Sequence, residues 1–337
     1  MTREQFLSSL PHLQSRLLNP DAELSVAIEK AYSSNQWFTP DFTRQALQSI
    51  ATAFLDDSLC RSWLESYPDN PVAAQKVGII MAGNIPLVGF HDLFCVLASG
   101  HEAIVKLSDK DSVLMKEVVS QWNQVLPGIK DHIHFTERLE AFDAVIATGS
   151  NNSARYFEYY FKKYPHILRK NRNGVAVITG DESLEDLKKL ADDIFLYFGL
   201  GCRNVSYMLV PDGYNFGLWD EAMSGYKDLE HHNKYKNNLE YNFAIYIINQ
   251  IPHIQLGHLI LKEDPVIASR IGSVHFQYYN DASEIEDLLA PRREEIQCVV
   301  SKEPLEKWEH VPFGTSQQPS LFQYADGVDT MKFLTSL

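Results

Sequence analysis

Cysteine is scarce in this sequence: Cys60, Cys95, Cys202 and Cys298 are all there is in 337 residues. None stands in a CxxC or Cys/His ligand spacing, so neither a disulfide framework nor a zinc site is indicated, and a reducing cytoplasm is the expected compartment. Cations are the minority charge, with 30 Lys plus Arg against 44 Asp plus Glu and a formal net charge of −14. That balance argues against nucleic acid or an anionic membrane as the main partner. No run of 18 apolar residues occurs, and the opening "MTREQFLSSLPHLQSRLL" is interrupted by Glu4 and Pro11. Neither export nor membrane insertion is predicted. Internal repeats and low-complexity tracts are missing too.

What is present is 45% apolar residues, enough to fill the two cores that a chain of this length is expected to build. Residues 1–70 read as helices: in "TPDFTRQALQSIATAFLDDSLCRSWLESY" Pro40 suits a first helical turn, and Phe42, Leu47, Ile50, Ala53 and Phe54 follow helical spacing. From Val77 strand and helix alternate. "VGIIMAG", "EAIVKLS", "HIHF" and "FDAVIATGS" read as strands. "NIPLVGFHDLFCVLASG", with Pro86 near its start and Gly100 past its end, "DSVLMKEVVSQWNQVL" and "NNSARYFEYYFKKY" read as helices, the last capped by Ser150 or Asn151. The alternation predicts an α/β fold with a doubly wound parallel sheet and a ligand crevice at the strands' carboxyl ends.

A second α/β domain is expected after it. "GVAVITG" reads as a strand, Ser183 and Asp186 as a capping box, and Leu187, Leu190, Ala191, Ile194 and Phe195 as one face of a helix running to Phe198. Gly199 and Gly201 stop that helix before the strand "VSYMLV". "NFAIYIINQ", "IQLGHLIL", "VHFQYY" and "EEIQCVVS" read as strands or buried segments, and "SEIEDLLAPRR" as a helix.

Four short segments carry the candidate chemistry. In "FGLGCRN", Cys202 sits in a tight turn that exposes a side chain, although glycines also occur at ordinary helix ends; the other three cysteines read as core. In "AGNIPLVG", Asn84 at the end of the first strand of the sheet either caps the following helix or aims an amide N–H at an oxyanion. In "IVKLSDKD", Lys106 reaches ribose or phosphate, with Ser108 beside it, unless the stretch is a solvated loop. In "ATGSNNS", Gly149 permits close backbone approach and Ser150 opens a helix whose first N–H groups can face a phosphate. Neither of the last two is GxGxxG or a P-loop.

Taken in order, Asn84, Lys106, Thr148-Gly149-Ser150 and the glycine-preceded Cys202 resemble the aldehyde dehydrogenase superfamily, as does the closing "PFG" at Pro312 to Gly314 followed by "ADGVDTMKFL". Within it, "NQWFT", "AGNIPLVGFHDLF", "FGLGCRN" and "PFGTSQQPSL" are most similar to the acyl-CoA reductase family, which includes the fatty-acyl reductase of bacterial luminescence. The resemblance implies a helical segment at 1–70, an NAD(P)-binding domain at 71–172, a catalytic domain carrying the cysteine at 173–310 and a return segment at 311–337. It implies Cys202 as nucleophile, Asn84 as oxyanion donor, and Lys106, Ser108, Thr148, Gly149 and Ser150 at the cofactor, with Glu263 of "LKEDPV" a loose counterpart of the ribose-binding glutamate. It leans to NADPH, with NADH the alternative: Asp109 suits a free 2′-hydroxyl and Lys110 a 2′-phosphate. No metal is implied.

One departure bears on direction. The glutamate that activates water in aldehyde dehydrogenases has no counterpart in "RKNRNGVAVITG", where no carboxylate lies between Arg169 and Thr179. Without that base, hydrolysis of an acyl enzyme is slow, and the chemistry is expected to run from acyl thioester to aldehyde, with acyl-CoA of the fatty class as the expected substrate. Arg203 is a neighbour of the right sign to activate the thiol, while the preceding helix presents its negative end. His91 and His166 are candidates for a general acid by position only. Two other readings stay open: oxidative aldehyde dehydrogenase action, or a non-catalytic subunit binding an acyl chain or partner. A homo-oligomer is expected, with an acyl-donating protein as a further partner.

Overall fold

The computed structural model describes residues 1–68 and 73–337; the expected boundary between residues 70 and 71 lies outside the described residues. The chain divides into two compact units, Met1–Asn171 together with Pro319–Leu337, and Arg172–Gln318.

The first unit opens with helices whose starts are capped by short polar side chains. Thr2 forms a capping box with Gln5 at the head of α1 (Arg3–Leu18), Asp21 caps α2 (Ala22–Ser34), Thr39 followed by Pro40 caps α3 (Pro40–Phe54), and Asp56 caps α4 (Asp57–Glu65). Their apolar faces bury Leu10, Leu13, Leu47 and Trp63 in one core with the residues of the sheet. That sheet arises from β1 (Lys76–Ile80), α5 (Phe90–Ala98), β2 (Glu102–Lys106), α6 (Val113–Val125), β3 (Ile133–Phe135), β4 (Ala144–Thr148), α7 (Asn151–Phe161) and β5 (His166–Arg169). All its pairs are parallel, in the order β3-β2-β1-β4-β5. The chain works outward on one side of β1 and then restarts on the other. A switch point therefore lies between the carboxyl ends of β1 and β4, where open parallel sheets bind ligands.

One expected boundary moves. The helix α5 begins at Phe90 and not near Pro86, because Leu87 holds a left-handed φ of 58° that no helix continues through.

The second unit contains β6 (Asn173–Val177), α8 (Leu184–Phe195), β7 (Val205–Pro211), α9 (Trp219–Met223), α10 (Asn233–Ile248), β8 (Ile254–Leu256), β9 (Leu259–Glu263), β10 (Ser273–Tyr279), α11 (Glu284–Leu289), β11 (Ile296–Ser301) and β12 (His310–Val311). Its sheet runs β12-β11-β6-β7-β10-β9-β8, parallel except for the β8–β9 hairpin. Val175, Val177, Tyr207, Leu209, Leu289 and Val299 fill a core on it.

Here the reading of "NFAIYIINQ" as a strand or buried segment is corrected: it is the second half of helix α10. The buried stripe of that helix is Tyr235, Asn242 and Tyr246, polar-tipped residues at helical spacing, while Ile247 and Ile248 face outward. Tyr235 donates to the His258 carbonyl and Asn242 to that of Ile271. An apolar period could not reveal a helix whose inner face is written in tyrosine and asparagine.

The chain then returns to the first unit, where α12 (Thr330–Thr335) closes it. The Arg169 guanidinium pairs with the buried Asp92 and donates to Thr330 Oγ1, and Trp63 Nε1 donates to the Tyr324 hydroxyl at 2.7 Å. Among the described residues no helix is long and apolar enough to cross a membrane, and no three His, Cys, Asp or Glu side chains are grouped to hold a metal.

Candidate active site

In the first unit, the candidate residues collect at the carboxyl edge of the sheet. Asn84 lies in the loop Met81–Gly89 between β1 and α5. The cap position of α5 is Gly89 and carries no side-chain hydrogen bond, so Asn84 does not cap that helix. The loop is hung from the next crossover: the Leu87 N–H donates to Asp111 Oδ2 at 2.7 Å, and Met81 N–H to the Lys106 carbonyl at 3.0 Å. Burial pushes the Asp111 carboxyl up to about 7, and its other oxygen, Oδ1, is shielded and bonds nothing.

Lys106 ends β2 in register with Ile80 at the end of β1. Ser108 packs directly beneath the Asn84 loop, since a Cβ at Gly83 would lie 2.5 Å from its Oγ. Thr148 ends β4, Gly149 follows, and Ser150 caps α7 by accepting from the Ser153 N–H at 3.2 Å. The structure supplies its own reason for Gly149: a Cβ there would sit 2.7 Å from the Phe157 ring and 2.9 Å from Ser153 Cβ, so glycine lets the helix close onto the strand. The structure thus gathers Asn84, Lys106, Ser108 and Thr148–Ser150 around one switch point. This edge, with a half-buried lysine and a capped eleven-residue helix opening onto it, fits a dinucleotide.

Neither histidine candidate lies there. His91 is inside the aromatic core, beside Phe54, Tyr324 and the Cys95 sulfur, and burial pushes it down to about 4. His166 starts β5 and so lies at the sheet's amino edge, its Nδ1 2.8 Å from the Tyr164 carbonyl.

In the second unit, Cys202 is the one cysteine among the four that is not buried. The helix before it ends at Phe195, three residues sooner than expected. Tyr197 and Phe198 take left-handed φ values of 54° and 60°, ahead of Gly199 at 72°. Two bulky residues in that region cost energy, which neighbouring contacts must offset. Asn204 is one source: its Oδ1 accepts the Gly201 N–H at 2.8 Å, and its Nδ2 donates to the carbonyls of Asp193 and Leu196 at 2.9 and 3.0 Å. The same amide thus caps the negative end of α8 that would oppose a thiolate. Asp193, 1% exposed, accepts from the N–H groups of Gly314 and Ser316 at 2.6 and 2.9 Å, and burial holds its carboxyl up at about 6 against those two bonds.

Arg203 does not offer Cys202 an unpaired charge. It bonds Glu309 and the Ser316 carbonyl, each at 2.7 Å, with its side chain 8% exposed. Glu263 is not brought to the cysteine either. It ends β9 level with Phe276 and Met208, whereas Cys202 precedes the first residue of β7. In a parallel set Glu263 is therefore level with the middle of β7, and Cys202 with the amino end of the sheet. Asp111, Asp193, Asn204 and Leu87 carry the site's architecture and escape a reading by motif. The one trace of Asp193 in the sequence is a carboxylate wedged among the apolar positions Leu190, Ala191 and Ile194.

No protein-family model and no curated relative matches the sequence. Solved structures do. A NAD-dependent aldehyde dehydrogenase from Sinorhizobium meliloti is similar at a TM-score of 0.65 and 13% identity, covering 92% of this chain and 70% of that one. A NAD-dependent benzaldehyde dehydrogenase from Corynebacterium glutamicum is similar at 0.66 and 12%, covering 92% and 77%. An aldehyde dehydrogenase from Mycobacterium tuberculosis, complexed with NAD+, is similar at 0.61 and 12%, covering 89% and 73%. The chain has the aldehyde-dehydrogenase fold, an α/β unit with an open parallel sheet plus a second α/β unit carrying the cysteine; a likeness at these identities extends to fold and no further.

Proposed function

We propose that this protein reduces an acyl thioester, acyl-CoA of the fatty class, to the aldehyde with NAD(P)H, by way of an acyl group carried on Cys202. The observation that carries this reading is the contrast among its thiols. Cys60 and Cys298 are buried and pushed up to about 12, burial pushes Cys95 well above the ordinary thiol range, and Cys202 alone lies partly open on a turn built from left-handed residues.

In this reaction the Cys202 thiolate adds to the thioester carbon, and the carbonyl π pair moves onto oxygen. Asn84 and the Cys202 backbone N–H donate to that oxyanion, an arrangement in which one donor is worth about 10²–10³ in rate. Collapse expels the CoA thiolate and leaves acyl-cysteine. Lys106 and the Thr148–Ser150 turn hold the dinucleotide, which when bound supplies hydride to the acyl carbon. Cys202 then departs as thiolate and releases aldehyde.

The direction rests on the carboxylates of the second unit. The first carboxylates after "RKNRNGVAVITG" are Asp181, which takes the Thr179 hydroxyl and pairs with Lys302, and Glu182, whose oxygens accept from the N–H groups of Thr179 and Gly180 at the carboxyl end of β6. That is the sheet edge away from Cys202, so Glu182 is badly placed to activate water there. Pure protein mixed with labelled long-chain acyl-CoA, without reductant, is expected to gain the acyl mass, and Cys202→Ala is not. If neither is labelled at any chain length, the proposal fails. A second reading, oxidation of an aldehyde with NAD+, draws on the similarity to NAD-dependent aldehyde dehydrogenases; it expects steady NADH production from aldehyde without CoA.

A further inference from the structure

The segment after β12, Pro312–Gln318, is fastened to the cysteine turn from both sides. Asp193, near the end of α8, accepts the N–H groups of Gly314 and Ser316, and Arg203, the residue after the cysteine, donates to the Ser316 carbonyl. Three backbone bonds on Gly314 and Ser316 leave the next residue, Gln317, little freedom of position. Its carboxamide lies over the α-carbon of Gly201, the residue before Cys202: a Cβ at 201 would come within 2.9 Å of Gln317 Oε1 and 3.3 Å of Nε2.

Gln317 Nε2 is shielded from solvent and has no hydrogen-bond partner in the protein. A buried amide donor with nothing to donate to is costly, and folded chains rarely keep one without use. Turning the carboxamide over does not remove the problem, because the Gly201 N–H is already taken by Asn204 Oδ1. An acceptor that arrives with the substrate would satisfy it once the carboxamide, on a half-buried residue, rotates to present Nε2.

We infer that Gln317 is a further catalytic residue, whose Nε2–H donates to the oxygen of the acyl group on Cys202. This rests on the reading of Cys202 as an acyl-accepting nucleophile. As the C–S bond forms, the carbonyl π pair moves to oxygen; the amide hydrogen bonds to that oxygen without transferring, and the bond relaxes when the pair re-forms the carbonyl and the leaving group departs with its electrons. The donor works while the oxygen is charged, so it accelerates acylation without altering the thiol's own ionisation.

The test uses the full chain and p-nitrophenyl acetate, an activated acyl donor that needs neither CoA nor dinucleotide. Wild type is expected to give a burst of nitrophenolate that Cys202→Ala lacks. Gln317→Met, which keeps the volume, and Gln317→Glu, which removes the donor, are expected to slow the burst 10- to 1000-fold. Gln317→Met, which adds no charge, is expected to keep the wild-type pH profile of Cys202 alkylation by iodoacetamide and to melt no lower than wild type. A burst within threefold of wild type in Gln317→Met overturns the inference, as does a shifted alkylation profile, which would assign Gln317 to the thiol, or the lack of any Cys202-dependent burst. A wild-type burst without labelling by acyl-CoA overturns the thioester reading and leaves the role of Gln317 standing.

Discussion

The two loops that bear the proposed chemistry are built alike and held differently. Each leaves regular structure through a bulky residue with positive φ, Leu87 before α5 and Tyr197 with Phe198 after α8, and each hangs on a buried aspartate. Asp111 supports the Asn84 loop with one oxygen and leaves the other unbonded. Asp193 uses both oxygens, and Asn204 adds three further bonds to the cysteine turn. Asp193 and Asn204 fix the nucleophile's backbone on several sides, whereas Asp111 holds the amide's loop through a single oxygen. A reacting atom must be placed within a fraction of an ångström, and the denser bonding lies where that demand is strictest.

The comparison can be broken at its two ends. Asn84→Ala is expected to slow acylation by about 10²–10³, measured as the rate of acyl mass gain; a change under threefold would remove Asn84 from the oxyanion's donors. Asn204→Ala strips the end of α8 of its cap and the Gly201 N–H of its acceptor. A loss of about 2–4 kcal/mol in urea unfolding is expected. Next comes Asp193→Asn, whose new NH₂ must face the N–H of Gly314 or of Ser316. We expect a cost of about 1–3 kcal/mol, and a stability equal to wild type at pH 7 would show that one oxygen suffices.

Asp111→Asn is expected to do the opposite, because the amide oxygen can keep the Leu87 N–H while the buried charge is gone. Asp111 binds its proton more tightly folded, near pH 7, than unfolded, near 3.8. Its contribution is therefore fully present below pH 3.8 and lost as pH rises through 7. The variant should gain on wild type across that window, most at pH 8 and by at most a few kcal/mol. His91, pushed down to about 4, changes stability in the other direction between 4 and 6.5, and cancels in the difference. Equal melting curves for variant and wild type at pH 5 and pH 8 would show that Asp111 is not buried as a charge.

Much of this was legible residue by residue. The alternation from Val77 onward, the capping box at Ser183 and the cap at Ser150 are local signals, and each appears in the structure where the sequence puts it. The helix α10 was hidden by its tyrosine and asparagine inner face, and the true end of α8 by Tyr197 and Phe198, residues that carry no turn signal of their own. Glu263 was a loose counterpart of a motif, and the register sets it level with the middle of β7 and not with the turn that carries Cys202, because spacing along a chain does not say where along a sheet a residue lands.

The sequence by itself determined the α/β order, the helix starts and a small set of reactive candidates, all of which follow from neighbours within about a turn or a strand. Only the tertiary structure decided which carboxylate supports which loop, that Arg203 is already paired, and that Gln317 lies over Gly201 with its amide unspent. Those are contacts between residues up to 123 positions apart, and burial, which sets their charge and their need for partners, exists only once the chain has folded.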